Sequence, residues 1–222
     1  MWMGMKIGIL GGTFDPVHYG HLRLAEEARE LWPLDRLFFI PAQTNPLKRD
    51  VSSAPAEHRL AMLRAALADR PDGDVLDLEL ERPGPSFTVD TLKELKARHP
   101  HDRFVLILGM DAFQLFPQWK DRAGILALAD LFVAARPGTV AIDPASVLEI
   151  ESPGSICYDQ TQDEYRFDSG ALLKVRTTTS LDISATALRR RVAAGGSIRY
   201  LTPPAVIDYI EQHGLYRSSV GR

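Results

Sequence analysis

Eleven residues near the N-terminus constrain the fold more than any other part of the chain. They run from Gly11 to His21 with the sequence GGTFDPVHYGH. The preceding run, residues 6–10, is short and apolar, which is typical of a buried parallel strand. Residues 22–31 carry apolar side chains at helical spacing, which predicts a helix that begins near Tyr19. The chain therefore passes from a strand into a helix through a turn that contains two glycines and two histidines.

This turn suits an anion such as a nucleotide triphosphate. The first backbone N–H groups of a helix have no partner within the helix and attract anions. His18 and His21 are three residues apart, so their imidazoles share one face beside those N–H groups. Glycine is also common in tight turns, so a purely structural role of Gly11 and Gly12 is an equal alternative. Metal ligation by the two histidines is a further alternative, although no cluster of additional ligands is evident.

Short strands and helices alternate along most of the sequence. Apolar runs predict strands over 36–40, 104–108 and 131–135, and partial alternation indicates another over 74–80. Helical spacing predicts helices over 59–67, 88–98, 122–129, 184–192 and 203–213. Ser86 and Ser184 precede two of these helices and are expected to cap them. Residues 139–180 follow no clear pattern, apart from a strand near 172–175.

The alternation predicts the fold class. We expect an α/β protein with a Rossmann-like, doubly wound parallel sheet, helices on both faces and a C-terminal helical segment. A chain of 222 residues with 45% hydrophobic residues can bury one substantial core. We therefore expect a single domain over residues 1–222, with the last two helices, about 184–213, packed onto the α/β core.

Composition excludes several functional classes. A net charge of −3 gives no general attraction to nucleic acid, so a phosphate ligand must be held by local groups. Cys157 is the only cysteine, which excludes an intramolecular disulfide or a zinc site with several cysteines. No apolar run reaches membrane-spanning length, and no signal peptide is recognisable. We therefore expect a cytoplasmic protein that binds neither nucleic acid nor membrane.

A second polar cluster lies where the helix near Ser184 begins. Besides capping that helix, Ser184 belongs to the run Ile183-Ser184-Ala185-Thr186, which is rich in hydroxyl groups. Thr186 and Arg189 are three residues apart, so one helix face offers a hydroxyl and a guanidinium to a phosphate chain. This helix start is therefore a second candidate for phosphate binding.

Three further residues have two interpretations each. Asp111 follows a predicted strand and is either a helix cap or a carboxylate that accepts hydrogen bonds from a ribose. Trp119 is either a core residue or a stacking surface for an aromatic ring. Lys48 lies in the polar loop after the second strand and is either an ordinary surface residue or an anion-binding group.

Together these residues resemble the nucleotidylyltransferase superfamily, whose hallmark is His-x-Gly-His, here residues 18–21, with a Ser/Thr-rich helix start downstream. Within that superfamily the chain closely resembles the bacterial nicotinate-nucleotide adenylyltransferases. The motifs that carry the resemblance occur in the same order: GGTFDPVHYGH, PSFTVDTL at 85–92, Gly109-x-Asp111, Phe116-Pro117-x-Trp119, RPG at 136–138 and Tyr209-Ile210-x4-Gly214-Leu215-Tyr216. Only residues 139–180 lack recognisable motifs.

The resemblance implies transfer of AMP from ATP to nicotinate mononucleotide, which yields nicotinate adenine dinucleotide and pyrophosphate. Mg²⁺ is the implied cofactor, held mainly by the ATP phosphates rather than by side chains. The implied catalytic residues are His18, His21 and Arg189. The implied ATP-binding residues are Gly11, Gly12, Thr13, Phe14, Gly109, Asp111, Arg136, Ser184 and Thr186. The implied residues for nicotinate mononucleotide are Lys48, Thr88 and Trp119.

Other functions stay open at this point. The same transfer to nicotinamide mononucleotide or to another phosphate acceptor, such as phosphopantetheine, is an alternative. A non-catalytic nucleotide sensor on the same fold is a more remote one. The sequence also leaves open whether the chain forms a homo-oligomer.

Overall fold

The computed structural model describes residues 4–44, 46, 54–137, 144–148 and 156–217. Its strands are β1 (Lys6–Gly12), β2 (Arg36–Pro41), β3 (Gly73–Val75), β4 (Arg103–Gly109), β5 (Ala129–Ala135), β6 (Ile156–Asp159), β7 (Glu164–Phe167) and β8 (Leu172–Thr177). Its helices are α1 (Tyr19–Leu31), α2 (Ala56–Ala66), α3 (Leu78–Glu81), α4 (Thr88–Arg98), α5 (Met110–Gln114), α6 (Arg122–Leu128), α7 (Pro144–Leu148), α8 (Ala185–Ala193) and α9 (Pro204–Gln212). Most predicted boundaries are therefore correct to within one or two residues.

The strands form one eight-stranded sheet in the order β3-β2-β1-β4-β5-β8-β7-β6. Neighbouring strands among β1, β4, β5 and β8 pair in parallel, with Ile7 opposite Phe104 and Leu131 opposite Leu173. The predicted fold class, a Rossmann-like and mostly parallel sheet with helices on both sides, is confirmed. The sequence did not predict β6 and β7, which pair antiparallel with each other, as β7 does with β8.

The chain divides into two compact units, each built from three segments. Unit 1 contains the described residues of Met1–Leu10, Leu24–Leu37 and Phe87–Ser180. Unit 2 contains those of Gly11–Arg23, Phe38–Ser86 and Leu181–Arg222. That the whole chain is a single domain, with its last two helices packed on the α/β core, stays a prediction.

The core of unit 1 is formed by β4 and β5, whose apolar residues are almost completely buried. One charged side chain lies among them: Asp130 of β5 is 3% exposed. Its Oδ1 accepts hydrogen bonds from Nη2 of Arg103, at 2.8 Å, and from the backbone N–H of Leu172, also at 2.8 Å. Asp130 therefore links the beginning of β4 and the beginning of β8 to β5.

In unit 2, helices α2 and α9 pack against each other. Both supply fully buried side chains, Met62 and Leu63 from α2 and Val206 and Ile210 from α9. This packing explains the helical spacing that predicted both elements.

Two local predictions were wrong. Ser86 does not cap α4, because its Oγ accepts a hydrogen bond from the backbone N–H of Gln43 at 2.9 Å, and Phe87 is the residue before the helix. The strand expected over 74–80 is only the three-residue β3, after which the chain forms the short helix α3. At Ser86, a hydrogen bond to a residue 43 positions away replaces the expected helix cap. After Val75, the short helix α3 replaces the rest of the expected strand.

Candidate functional site

The turn between β1 and α1 is built around Phe14. The backbone of Phe14 is left-handed, with φ 50°, and its side chain is 1% exposed. Its ring meets His21 edge-on at 5.0 Å between centroids and lies 6.5 Å from the ring of Phe39. A Cβ added to Gly12 would come within 3.2 Å of the same ring. The hydrophobic packing of Phe14 therefore fixes the path of the turn, and Gly12 gives it room.

Gly11 has no comparable structural reason to be glycine. Its φ does not fall in the left-handed region, and a Cβ added there would meet no described atom within 4 Å. Gly109, at the end of β4 in unit 1, has the same two properties. Neither backbone strain nor crowding by the described protein requires glycine at these positions.

The two histidines of the motif form a stacked pair at the start of α1. Their ring centroids are 3.7 Å apart, with 28° between the planes. The backbone N–H of His18 donates to Nδ1 of His21 at 3.3 Å. A Cβ on Gly20 would approach Nδ1 of His18 to 3.0 Å, so the glycine between the histidines leaves space for the stack. The prediction that both imidazoles share one face is thus confirmed by the geometry.

The surroundings of the two imidazoles determine where their protons are. Nδ1 of His21 is an acceptor, so the neutral ring carries its proton on Nε2. His18 is 6% exposed, and burial lowers its pKa to about 4, so it is neutral at pH 7. Nδ1 of His18 is buried with no hydrogen-bond partner among the described residues. An unpaired lone pair is more easily accommodated there than an unpaired N–H group, which favours a proton on Nε2 in His18 as well.

Helix α8 brings an arginine to this turn. Ser184 is its N-cap, since Oγ accepts a hydrogen bond from the backbone N–H of Ala187 at 3.2 Å. Nη1 of Arg189 donates to the backbone oxygen of Asp15 at 2.8 Å, and Nη2 donates to Oγ1 of Thr186 at 3.3 Å. Within unit 2, Arg189 therefore connects the turn to the Ser/Thr-rich helix start. The two segments that the sequence predicts to bind phosphate thus lie close together.

Sequence reasoning missed three residues that support the turn. Asp15 is 2% exposed, and its Oδ1 accepts a hydrogen bond from the hydroxyl of Tyr216 at 2.7 Å. Arg59, from α2, is also 2% exposed, and its Nη1 donates to the backbone oxygens of Thr13, at 2.8 Å, and Ala42, at 2.7 Å. Asp15 and Tyr216 belong to motifs noted above, which was a usable signal, whereas nothing in the local sequence singles out Arg59.

Unit 1 contains the remaining described candidates for ATP binding. Gly109 is the last residue of β4 and directly precedes α5. Asp111 lies in the first turn of α5 without capping it, and its Oδ2 accepts a hydrogen bond from Nη2 of Arg136 at 3.1 Å. Both of these side chains are exposed, at 81% for Asp111 and 59% for Arg136. The structure thus pairs two of the predicted residues and leaves their polar groups accessible.

Thr88 and Trp119, the candidates for the mononucleotide, also belong to unit 1. Thr88 is the first residue of α4 and is partly exposed. The indole of Trp119 lies 5.5 Å from the ring of Phe116, and its Nε1 is buried without a partner among the described residues. Beside them, the ammonium group of Lys120 lies 4.5 Å above the ring of Phe87. The third candidate, Lys48, lies outside the described residues.

The described part of the chain lacks two features that would indicate other kinds of function. No group of three or more His, Cys, Asp or Glu side chains comes together there in a way that could hold a metal ion. No helix in the same part is long and apolar enough to span a membrane.

A mostly parallel sheet whose first strand leads into a glycine- and histidine-containing helix start defines a Rossmann-like, nucleotide-binding class of protein. The chain belongs to the cytidylyltransferase-like family, whose family model matches residues 9–191. The resemblance carried by the sequence motifs is therefore confirmed at the level of the family.

Two relatives that the chain resembles in sequence, and one solved structure that it resembles in fold, carry more specific names. A protein of Syntrophotalea carbinolica named "Probable nicotinate-nucleotide adenylyltransferase" is 48% identical over 96% of this chain and 98% of its own length. A protein of Roseiflexus sp. with the same name is 47% identical over 95% and 98%, respectively. The Plasmodium falciparum nicotinic acid mononucleotide adenylyltransferase complexed with NaAD is similar in fold, with a TM-score of 0.72, 21% identity and coverage of 96% of this chain and 97% of that one.

Proposed function

We propose that this chain transfers AMP from ATP to nicotinate mononucleotide and forms nicotinate adenine dinucleotide and pyrophosphate. Relatives 44–48% identical along nearly the whole chain carry this activity in their names. The observation in the structure that supports it best is the stacked pair of His18 and His21 in a turn whose Asp15 backbone oxygen is bound by Arg189. Two imidazole N–H donors and a fixed guanidinium suit a polyphosphate.

The reaction needs no residue that removes a proton from the nucleophile. The attacking group is a phosphate oxygen of nicotinate mononucleotide, which is mostly ionised at neutral pH. Its lone pair forms the new bond to the α-phosphorus of ATP, and the bond from that phosphorus to the bridging oxygen of the β-phosphate breaks. The electron pair leaves with pyrophosphate. Catalysis therefore consists of holding the two substrates in line and stabilising the charge that develops.

The unit 2 residues have distinct proposed roles in this step. The Nε2–H group of His21 donates a hydrogen bond to the oxygens of the α-phosphate, where negative charge grows in the transition state. His18 helps to bind the phosphate chain, and Arg189 neutralises the departing pyrophosphate. Gly11 allows the phosphates to approach the backbone, which explains a glycine that the described protein itself does not require. Gly12, Thr13 and Phe14 complete the turn, with Ser184 and Thr186 at the start of α8.

The unit 1 residues are proposed to recognise the two nucleosides. Gly109, Asp111 and Arg136 bind the adenosine part of ATP, with the Asp111 carboxylate accepting hydrogen bonds from ribose hydroxyl groups. Thr88 and Trp119 bind the nicotinate end, where the indole supplies a stacking face. Lys48 is proposed to contact the phosphate of the mononucleotide.

We propose that Mg²⁺ arrives as part of the substrate, bound to ATP. The described residues offer no three-residue cluster for a cation, and the Asp15 carboxylate is already engaged by Tyr216. The oxygens of the phosphates are good ligands for this hard cation. Since its substrates are ATP and a mononucleotide, we also propose that the enzyme acts in the cytoplasm.

A pyrophosphate-release assay with ATP and Mg²⁺ tests the proposal. Nicotinate mononucleotide, nicotinamide mononucleotide and phosphopantetheine are supplied separately as acceptors. We expect the highest kcat/KM with nicotinate mononucleotide. A preference for the amide or for phosphopantetheine would assign the chemistry to another acceptor. ATP binding without release in the presence of any acceptor would favour the nucleotide sensor.

A further inference from the structure

The C-terminal motif Tyr209-Ile210-x4-Gly214-Leu215-Tyr216 carries Tyr216 from the end of α9 to the turn between β1 and α1. After α9 the backbone of Gly214 is left-handed, with φ 61°, and the backbone N–H of Leu215 donates to the oxygen of Ile210 at 3.0 Å. These contacts end the helix and reverse the chain. Tyr216, also left-handed with φ 62°, follows the reversal, and its hydroxyl donates to Oδ1 of Asp15 at 2.7 Å. The end of unit 2 is therefore fastened to its beginning, 201 residues away in sequence.

Asp15 lies between Tyr216 and Arg189. Its side chain is 2% exposed, and Oδ2 is 3.6 Å from Nη1 of Arg189, beyond hydrogen-bond distance. The same Nη1 instead donates to the backbone oxygen of Asp15 at 2.8 Å. Burial, together with the hydrogen bond to Asp15, raises the pKa of the Tyr216 hydroxyl above its ordinary value. Tyr216 therefore remains a proton donor to this carboxylate at neutral pH.

We propose that Tyr216 is a positioning residue for ATP: by holding the carboxylate of Asp15, it keeps the 3.6 Å ion-pair contact between Arg189 and Asp15 from tightening into a hydrogen-bonded ion pair. This inference rests on the proposed function, in which Arg189 binds the phosphates. Arg189 is then directed by two neutral acceptors, the Asp15 backbone oxygen and the Thr186 hydroxyl. Its positive charge remains available for the substrate.

The physical argument concerns a buried carboxylate that must be satisfied. If the Tyr216 hydroxyl is removed, Oδ1 loses its short hydrogen bond while the charge remains buried, which is costly. Arg189 is already in ion-pair contact with this carboxylate, and Arg59 also interacts with it electrostatically, although the Nη1 atom of Arg59 is held by the backbone oxygens of Thr13 and Ala42. Closing the 3.6 Å separation would satisfy the carboxylate and turn the guanidinium away from Thr186. ATP would then have to compete with Asp15 for Arg189.

The test compares Tyr216→Phe with a matched control, Tyr209→Phe. Tyr209 is in α9 of the same unit, and its hydroxyl is 3.0 Å from Nδ1 of His58. We expect Tyr216→Phe to raise the KM for ATP and the calorimetric Kd for MgATP by about tenfold or more, within the range for a hydrogen bond to a charged group. The KM for nicotinate mononucleotide should stay within about twofold, and Tyr209→Phe should leave both ATP constants at the wild-type values.

A double-mutant cycle separates positioning from simple loss of stability. Asparagine at position 15 cannot form an ion pair with Arg189, so Tyr216→Phe should weaken MgATP binding much less in an Asp15→Asn background than in the wild type. An equal effect in both backgrounds, or a lower melting temperature with unchanged MgATP affinity, would overturn the proposal. If the wild type binds MgATP but releases no pyrophosphate with any acceptor, the proposed function fails, and the calorimetric cycle still decides the role of Tyr216.

Discussion

Acid should destabilise this protein through His18. The imidazole is 6% exposed, and burial lowers its pKa from 6.5 to about 4. Between these two values the unfolded chain binds a proton at His18 that the folded chain does not. The free energy of unfolding therefore falls as the pH drops from above 6.5 toward 4. With these two pKa values, proton binding at His18 lowers the free energy of unfolding by about 2 kcal/mol at pH 5 relative to pH 7.5.

Urea unfolding at pH 7.5 and pH 5.0 measures this loss. Three proteins are compared: the wild type, His18→Gln and a control, His101→Gln, in which an exposed imidazole is removed. Other groups also titrate in this range, so the decisive quantity is the difference between proteins. On acidification, His18→Gln should lose about 2 kcal/mol less than the wild type, and the control should behave as the wild type does. An equal loss in the wild type and His18→Gln would refute the assignment of a buried, neutral His18.

Three other substitutions test the site. His21→Ala should lower kcat by about 10²–10³-fold, the usual effect of removing a hydrogen-bond donor to the transition state. Circular dichroism should show that the variant is folded. Near-normal turnover would exclude His21 from the mechanism. Gly11→Ala should leave the free energy of unfolding within about 0.5 kcal/mol of the wild-type value, because the added Cβ meets no described atom within 4 Å. The same substitution should weaken MgATP binding in calorimetry. Unchanged affinity would contradict close approach of the phosphates to the backbone. Arg59→Met should lower the free energy of unfolding by about 2–5 kcal/mol, since it leaves three backbone oxygens without their guanidinium donor. A loss below about 1 kcal/mol in urea unfolding would show that water satisfies those oxygens.

The central elements could be predicted because their sequence patterns report burial directly. The apolar runs of β4 and β5 lie in the core of unit 1, and helical spacing correctly predicted that α1 begins at Tyr19. The hairpin of β6 and β7 could not be predicted in this way. It contains polar residues that pair with one another, such as Arg166 with Glu164 at 2.7 Å, so no apolar run marks its strands.

In the candidate site, too, local relations could be predicted from the sequence and contacts between distant residues could not. The relation between His18 and His21 is local, three residues along one helix start, and the spacing alone predicted their shared face. The contact of Asp15 with Tyr216 spans 201 residues, and that of Arg59 with Thr13 spans 46. Such contacts depend on the tertiary fold, so no local pattern can specify them.

Asp130 has a consequence for how this sequence can change over evolution. Its carboxylate fixes the first residue of β8, Leu172, relative to Arg103 of β4. A relative that gains or loses residues between Ala135 and Leu172 can therefore absorb the change before β8 begins, because the cost of a longer loop rises only slowly with its length. The register of β8 would be preserved through such insertions and deletions. Changes in the length of the connections around α7 and the hairpin of β6 and β7 can thus leave the start of β8 in place.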